Sequence, residues 1–149
     1  MGFRLGKNKI NKTIYKYFPK NKPELIEILE KRLDENKNDD LNDIDVSNII
    51  YMSSLFYGLD PHNIDISEWD VSNVIDMAQM FCLCKNFNSN LSDWNISKVE
   101  DISYIFYKCN KFEGEGLENW NVSRVQNMEG ALDHCDSLKK LPSWYNNKI

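Results

Sequence analysis

Cys84, Cys109 and Cys135 recur at intervals of 25 and 26 residues, and Cys82 stands two residues before the first of them. Thiols at a fixed interval can ligate a metal, pair as disulfides, act as nucleophiles or fill a core. Zinc wants paired ligands such as C-x-x-C; one C-x-C with distant single cysteines does not supply them, even with His134 beside Cys135. No metal and no cofactor is therefore expected. Nucleophilic catalysis needs a base near the thiolate. The two histidines, His62 and His134, fall in different segments, and no nucleophile elbow or phosphate-cradling loop accompanies them. Adjacent His134 and Cys135 project differently and do not make a dyad by themselves. Disulfides would require an oxidising compartment. Free cysteine is a common small core residue, so the favoured reading is a column of buried thiols about 5 Å apart, by analogy with neighbouring strands. The chain is read as non-enzymatic.

The remaining charged groups point the same way. Asp39 with Asp40, and Glu113 with Glu115, lie in loop-like sequence and read as solvated; the EGEG stretch at Glu113 to Gly116 is an insertion whose acids repel phosphate. The chain has 149 residues, 42% of them hydrophobic and 28% charged, which fits one globular domain. Its net charge of −5 is unevenly spread, because residues 1–22 hold seven Lys or Arg and no acid. The rest carries −12, which argues against a nucleic-acid partner. No stretch approaches the ~20 apolar residues of a membrane span, and the start of the chain lacks the apolar core of an export signal.

The interval of the cysteines belongs to a larger repeat. DVSNI at Asp45 to Ile49 returns as WDVSNV at Trp69 to Val74, WNISKV at Trp94 to Val99 and WNVSRV at Trp120 to Val125. The leading apolar positions Leu41, Ile66, Leu91, Leu117 and Leu141 step by 25, 25, 26 and 24 residues, giving four full units and a partial fifth. Such units cannot bury their apolar edges alone and stack on one another. Within a unit, Trp94 and Ile96 have strand spacing, whereas Val99, Ile102, Ile105 and Phe106 have helical spacing. These patterns predict strands near 44–47, 69–72, 94–97 and 120–123, and helices near 50–58, 75–83, 100–108 and 126–134. The serine column Ser47, Ser72, Ser97 and Ser123 reads as turn or helix-start chemistry, and the Trp column as core.

Ahead of the repeats, Pro23 followed by ELIEILEKRL predicts an amphipathic capping helix over 23–35. Tyr15, Tyr17 and Phe18 are placed to pack on that helix or on the first unit, and Trp144 and Tyr145 to cover the last. The chain is thus divided into a basic segment with its helix, 1–40, and a repeat body, 41–149.

The opening L-x-x-W-x-I at Leu91 to Ile96 resembles the leucine-rich-repeat phrase, with Trp in the second Leu position and Val99 where an Asn is expected. The unit WDVSNVIDMAQMFCLC at Trp69 to Cys84, followed by WNISKVEDISYIFYKC at Trp94 to Cys109, resembles the roughly 25-residue BspA-like repeats of bacterial surface proteins and lipoproteins. The resemblance covers about residues 41–145. It implies an α/β fold: a leucine-rich-repeat-like, right-handed solenoid with short parallel strands, one helix per repeat and an N-terminal helical cap. It also implies a protein-protein interaction module, displayed on the cell surface in that family. On such a scaffold Asp45, Asp70, Asn95 and Asn121 form an outward column on the strand face. Glu68, Asp93 and Asn119 lie one step before the inward Trp positions. These seven are the candidate contacts to a basic or amide-rich protein partner, against the plainer reading that they are solvated turn formers. The alternative function is a small acidic intracellular inhibitor or immunity-type protein that blocks a basic site on an enzyme.

Overall fold

The computed structural model describes residues 3–5 and 12–145. The basic N-terminal segment forms an antiparallel hairpin of β1 (Phe3–Leu5) and β2 (Lys12–Ile14). It leads through Tyr17, whose backbone bridges Ile44 in parallel, into helix α1 (Lys22–Glu35). Local chemistry starts and stops this helix. The Asn21 side chain accepts from the Glu24 amide, Glu24 reaches back to the Lys20 amide, and Pro23 sits where no intrahelical N–H is needed. Leu25, Leu29 and Leu33, four residues apart, bury one face of α1 against the repeats. Arg32 in the last turn donates from Nε to Asp39, from Nη1 to Asp43 and from Nη2 to the Asp40 carbonyl, tying the helix to the first unit.

The repeat body departs from the expected α/β architecture. Among the described residues α1 is the only α-helix, the only named strands are β1 and β2, and the repeats contribute isolated parallel bridges rather than a sheet. The leucine-rich-repeat-like, right-handed solenoid with one strand and one helix per repeat is therefore not formed. Each unit is instead a chain of β-turns. The Trp69 amide donates to Ile66, Val74 to Val71, Met80 to Met77, Cys84 to Phe81 and Phe87 to Cys84. In a β-turn, residues i and i+3 come side by side and the middle two project away. An apolar residue at every third position therefore turns inward without any helix.

Two observations explain why 75–83 and its equivalents do not coil into helices. Ser54, Gln79, Tyr104 and Gly130 share one position of the repeat and all have positive φ, between 55° and 64°. Gly58, Leu83, Lys108 and His134 share another, with φ between 58° and 80°. A right-handed helix cannot pass through such residues. The amides that a helix would use internally go instead to the next unit: Met77, Gln79, Phe81 and Leu83 donate to the carbonyls of Asp101, Ser103, Ile105 and Tyr107. Alternate N–H groups thus cross-link consecutive rungs while the others close turns. Holding a non-glycine residue at positive φ costs about 1–2 kcal/mol. Exposed Gln79 changed to Gly should therefore raise stability by about 0.5–1 kcal/mol after the added flexibility of the unfolded chain is deducted. A thermal midpoint no higher than that of the parent chain would count against this account.

Side chains repeat the same ladder. Asx turns close three corners of a unit: Asp65 accepts from the Ser67 amide, Asp70 from Ser72 and Asp76 from Ala78. Inside, Trp69, Trp94, Trp120 and Trp144 stack with ring centroids 6.3 to 6.5 Å apart and planes within 7°. Each indole N–H donates to the leading carbonyl one rung back, respectively Leu41, Ile66, Leu91 and Leu117. Phe56, Phe81 and Phe106 form a second stacked column beside them. The ends are closed by single groups of matching polarity. Lys22 Nζ donates to the Ser53 carbonyl on the first rung, and the Tyr145 hydroxyl donates to Asp133 Oδ1 on the last. No helix among the described residues is long and apolar enough to cross a membrane.

Candidate partner-binding surfaces

The cysteine column lies in the core. Cys84, Cys109 and Cys135 are buried, and their thiols donate to the carbonyls of Phe56, Phe81 and Phe106 at 3.5, 2.9 and 3.0 Å. All four cysteines are free. Burial pushes the thiols of Cys84 and Cys135 up to about 12, and it pushes those of Cys109 and Cys82 up as well. A proton held this tightly leaves little thiolate for attack or ligation at neutral pH. The histidines sit elsewhere. His62 Nε2 lies 3.3 Å from Asp60 Oδ2, while exposed His134 meets the Tyr107 ring edge-on at 5.7 Å. No group of three or more His, Cys, Asp or Glu among the described residues is placed to hold a metal ion.

The buried thiols make stability depend on alkaline pH. An unfolded cysteine ionises near about 8.5, whereas folded Cys84 and Cys135 hold their protons to about 12. The native state therefore binds more protons across that window. Its advantage is complete below about pH 8.5 and is lost, at about 1.4 kcal/mol per pH unit per thiol, as pH rises towards the folded value. Thermal midpoints should fall from about pH 8 to about pH 10.5, and fall less steeply in a Cys84→Ala/Cys135→Ala variant. Identical slopes for the two proteins would assign the loss to other groups.

The seven polar candidates lie along two columns of the stack and do not converge on a pocket. Asp45, Asp70, Asn95 and Asn121 each turn Oδ1 onto the amide of the serine two residues on: Ser47, Ser72, Ser97 and Ser123. They are turn formers with one side-chain atom engaged at home. Glu68, Asp93 and Asn119 continue a column headed by Asp43, the partner of Arg32; the Glu68 amide is held by the Asn42 side chain. Positive charge enters beside the first column, where exposed Lys98 donates to Asn73 and exposed Arg124 follows one rung later.

Sequence reasoning passes over a third surface. Ser54, Tyr57, Gln79, Cys82, Leu83, Tyr104 and Tyr107 line an open groove across three consecutive rungs. Tyr57 is 54% exposed and Leu83 48% exposed, whereas Tyr104 and Tyr107 are half-buried and meet edge to face at 5.5 Å. Tyr104 lies against Gly130, which has no side chain to collide with it. The Lys108 ammonium stands 5.4 Å from the centre of the Tyr107 ring. The Tyr104 hydroxyl is pushed up by the adjacent carboxylate of Glu129 and, to a smaller extent, by Asp133.

Residues 25–144 match the family described as Mycoplasma protein of unknown function, DUF285. The chain belongs to the DUF285 family. No curated protein and no solved structure matches it. The match runs from Leu25, the first buried residue of α1, to Trp144, the last indole of the stack. In this DUF285 chain the helix and the repeats therefore fall within one family unit. What is shown is membership of DUF285, a family of unknown function.

The DUF285 groove left a faint signal in the sequence. Tyr57, Cys82 and Tyr107 occupy one phase of the repeat, and Leu83 and Lys108 the next. Under a helical reading they fall on a solvent-facing stripe with no neighbours. Only rung-on-rung stacking sets Tyr57, Leu83 and Tyr107 side by side.

Proposed function

We propose that the chain is a non-enzymatic protein-interaction module. The observation that carries this reading is the open, tyrosine-lined groove across three rungs of a body whose indoles and whose Cys84, Cys109 and Cys135 thiols face inward. Exposed apolar area is unfavourable in water unless a partner covers it, and tyrosine supplies large contact area with few rotatable bonds. The ladder of inter-rung hydrogen bonds keeps that area in place before binding, which lowers the ordering cost of association. The column of Asp45, Asp70, Asn95 and Asn121 supports the same role more weakly, because one side-chain oxygen of each is already occupied by its own turn. Blockade of a basic enzyme site by one acidic face is the less favoured alternative, because Lys98 and Arg124 reverse the sign of the column along its length.

Capture from the native cell by cross-linking tests the reading. A photo-reactive phenylalanine at position 57 should yield a defined protein adduct that is absent when it is placed at Glu30, on the exposed side of α1. Changing Asp70, Asn95 and Asn121 together to Lys should leave the groove adduct in place. Adducts of equal pattern from both sites would refute the module reading. Loss of the adduct in the triple variant alone would move the contact to the polar columns.

A further inference from the structure

The charges around the tyrosine groove indicate which partner chemistry it accepts. Its far wall is formed by Tyr104 and Tyr107, and the charged groups facing that wall are Lys108, His134, Glu129 and Asp133. Glu129 and Asp133 stand on the adjoining rung, where their carbonyls accept from the Tyr104 and Lys108 amides at 2.8 and 2.9 Å, and Lys108 is the one cation among them that lies over a ring. Lys108 is a guide to the ligand, because its ammonium already occupies the face of Tyr107. Aromatic faces attract ammonium and guanidinium groups, and a nearby carboxylate strengthens the attraction. The near wall is different in kind: Tyr57 and Leu83 are exposed and apolar, with Gln79 and Ser54 between the rungs as neutral hydrogen-bonding groups. The body outside residues 1–22 carries −12, which favours approach of a cationic segment from a distance.

We propose that the groove binds a basic peptide segment of a partner protein. An arginine or lysine lies on Tyr104 and Tyr107 with its charge towards Glu129 and Asp133, and a neighbouring apolar residue covers Leu83 and Tyr57. The proposal rests on the interaction-module reading and adds the chemistry of the partner. Lys108 moves aside for the incoming cation, or shares Tyr107 with it from the opposite face.

The test uses the full chain, labelled with nitrogen-15, and two dodecapeptides of the repeating triplets Arg-Gly-Leu and Glu-Gly-Leu. The arginine peptide should shift the amide signals of Tyr57, Leu83, Tyr104 and Tyr107, with an affinity that falls as salt rises. Leu83→Gly suits the backbone there, since φ is +63° and glycine adopts it freely, so the variant removes the side chain without unfolding the rung. It should weaken the arginine peptide about ten-fold, as should Glu129→Lys with Asp133→Lys. Tyr57→Ser gives an independent exposed variant with the same expected direction. Equal binding of both peptides in the groove would overturn the basic preference and leave the module reading intact. Arginine-peptide shifts confined to Asp70, Asn95 and Asn121 would overturn the groove as the site. Absence of binding by the arginine peptide would overturn the proposal, and the cross-linking result would then stand or fall separately.

Discussion

Gly116→Ala should lower the stability of the fold by about 3 kcal/mol. Gly116 has φ +84° and leads into a short 3-10 helix (Leu117–Asn119) at the start of the fourth unit. A Cβ built on it would lie 2.1 Å from Ser92 Cβ and 2.5 Å from Ser92 Cα, on the rung before. The obstacle is backbone, which cannot swing away as a side chain could. The methyl group therefore adds a left-handed backbone cost of about 1–2 kcal/mol to an overpacking cost of about 1–3 kcal/mol. Against a typical stability of 5–15 kcal/mol, a loss of about 3 kcal/mol moves a urea midpoint by roughly 1–2 M. Gly58→Ala separates the two terms, because Gly58 has φ +80° with nothing within 4 Å of the added carbon. It should cost only the backbone part, about 1–2 kcal/mol. Midpoints that shift equally in the two variants would mean that the rungs at Gly116 are not in contact.

The same interlocking explains which parts of the molecule can be read from sequence. Period, unit boundaries and inward positions follow from Leu41, Ile66, Leu91 and Leu117 and from the Trp column, because a residue that must be buried recurs wherever the unit recurs. The backbone between them does not follow. Val99, Ile102, Ile105 and Phe106 satisfy a helical period, yet the same spacing arises when each pair closes a β-turn, as Ile96 with Val99 and Ile102 with Ile105 do. Local pattern cannot distinguish the two, since the deciding hydrogen bonds, such as Ile102 N–H to the Asn127 carbonyl, join residues a whole unit apart. One cue lies in the chain itself. Asp or Asn two residues before Ser occurs at Asp45, Asp65, Asp70, Asn90, Asn95, Asp101 and Asn121, a density of Asx-turn signals that suits corners better than helices.

The candidate surfaces divide along the same line. That Asp45, Asp70, Asn95 and Asn121 form a column follows from the period, and their turn-forming chemistry is local to each D-x-S or N-x-S. The groove is different, because no single unit contains it: Tyr57 comes from one unit, Gln79, Cys82 and Leu83 from the next, Tyr104 and Tyr107 from the third. A surface assembled between rungs becomes visible only when their register and the outward direction of each turn are both known.

Trp94→Ala should be the most damaging change to the column that sets this register. Trp94 is 4% exposed, lies between Trp69 at 6.4 Å and Trp120 at 6.5 Å, and also meets Phe81 at 6.2 Å. Its removal opens a cavity on both sides at once, and neighbouring rungs held by main-chain hydrogen bonds cannot close together to fill it. Truncating a buried tryptophan costs about 3–5 kcal/mol under such conditions. The Ile66 carbonyl, which accepts from the indole at 2.9 Å, also loses that donor. Trp94→Phe keeps part of the ring and loses the N–H, so it should recover part of the stability and expose the hydrogen-bond share, about 1 kcal/mol. Trp144→Ala makes the decisive comparison. That indole has a stacked neighbour at 6.3 Å on one side and is only partly buried, so its loss should fray the last rung and cost less than half as much. Urea unfolding of the three variants, with amide exchange followed at Val74, Val99 and Val125, whose N–H groups close the turns of three successive rungs, should show protection lost on both flanking rungs in Trp94→Ala. Protection lost in a single rung would mean that the units fold independently, and the preformed groove would lose the rigid base on which it depends.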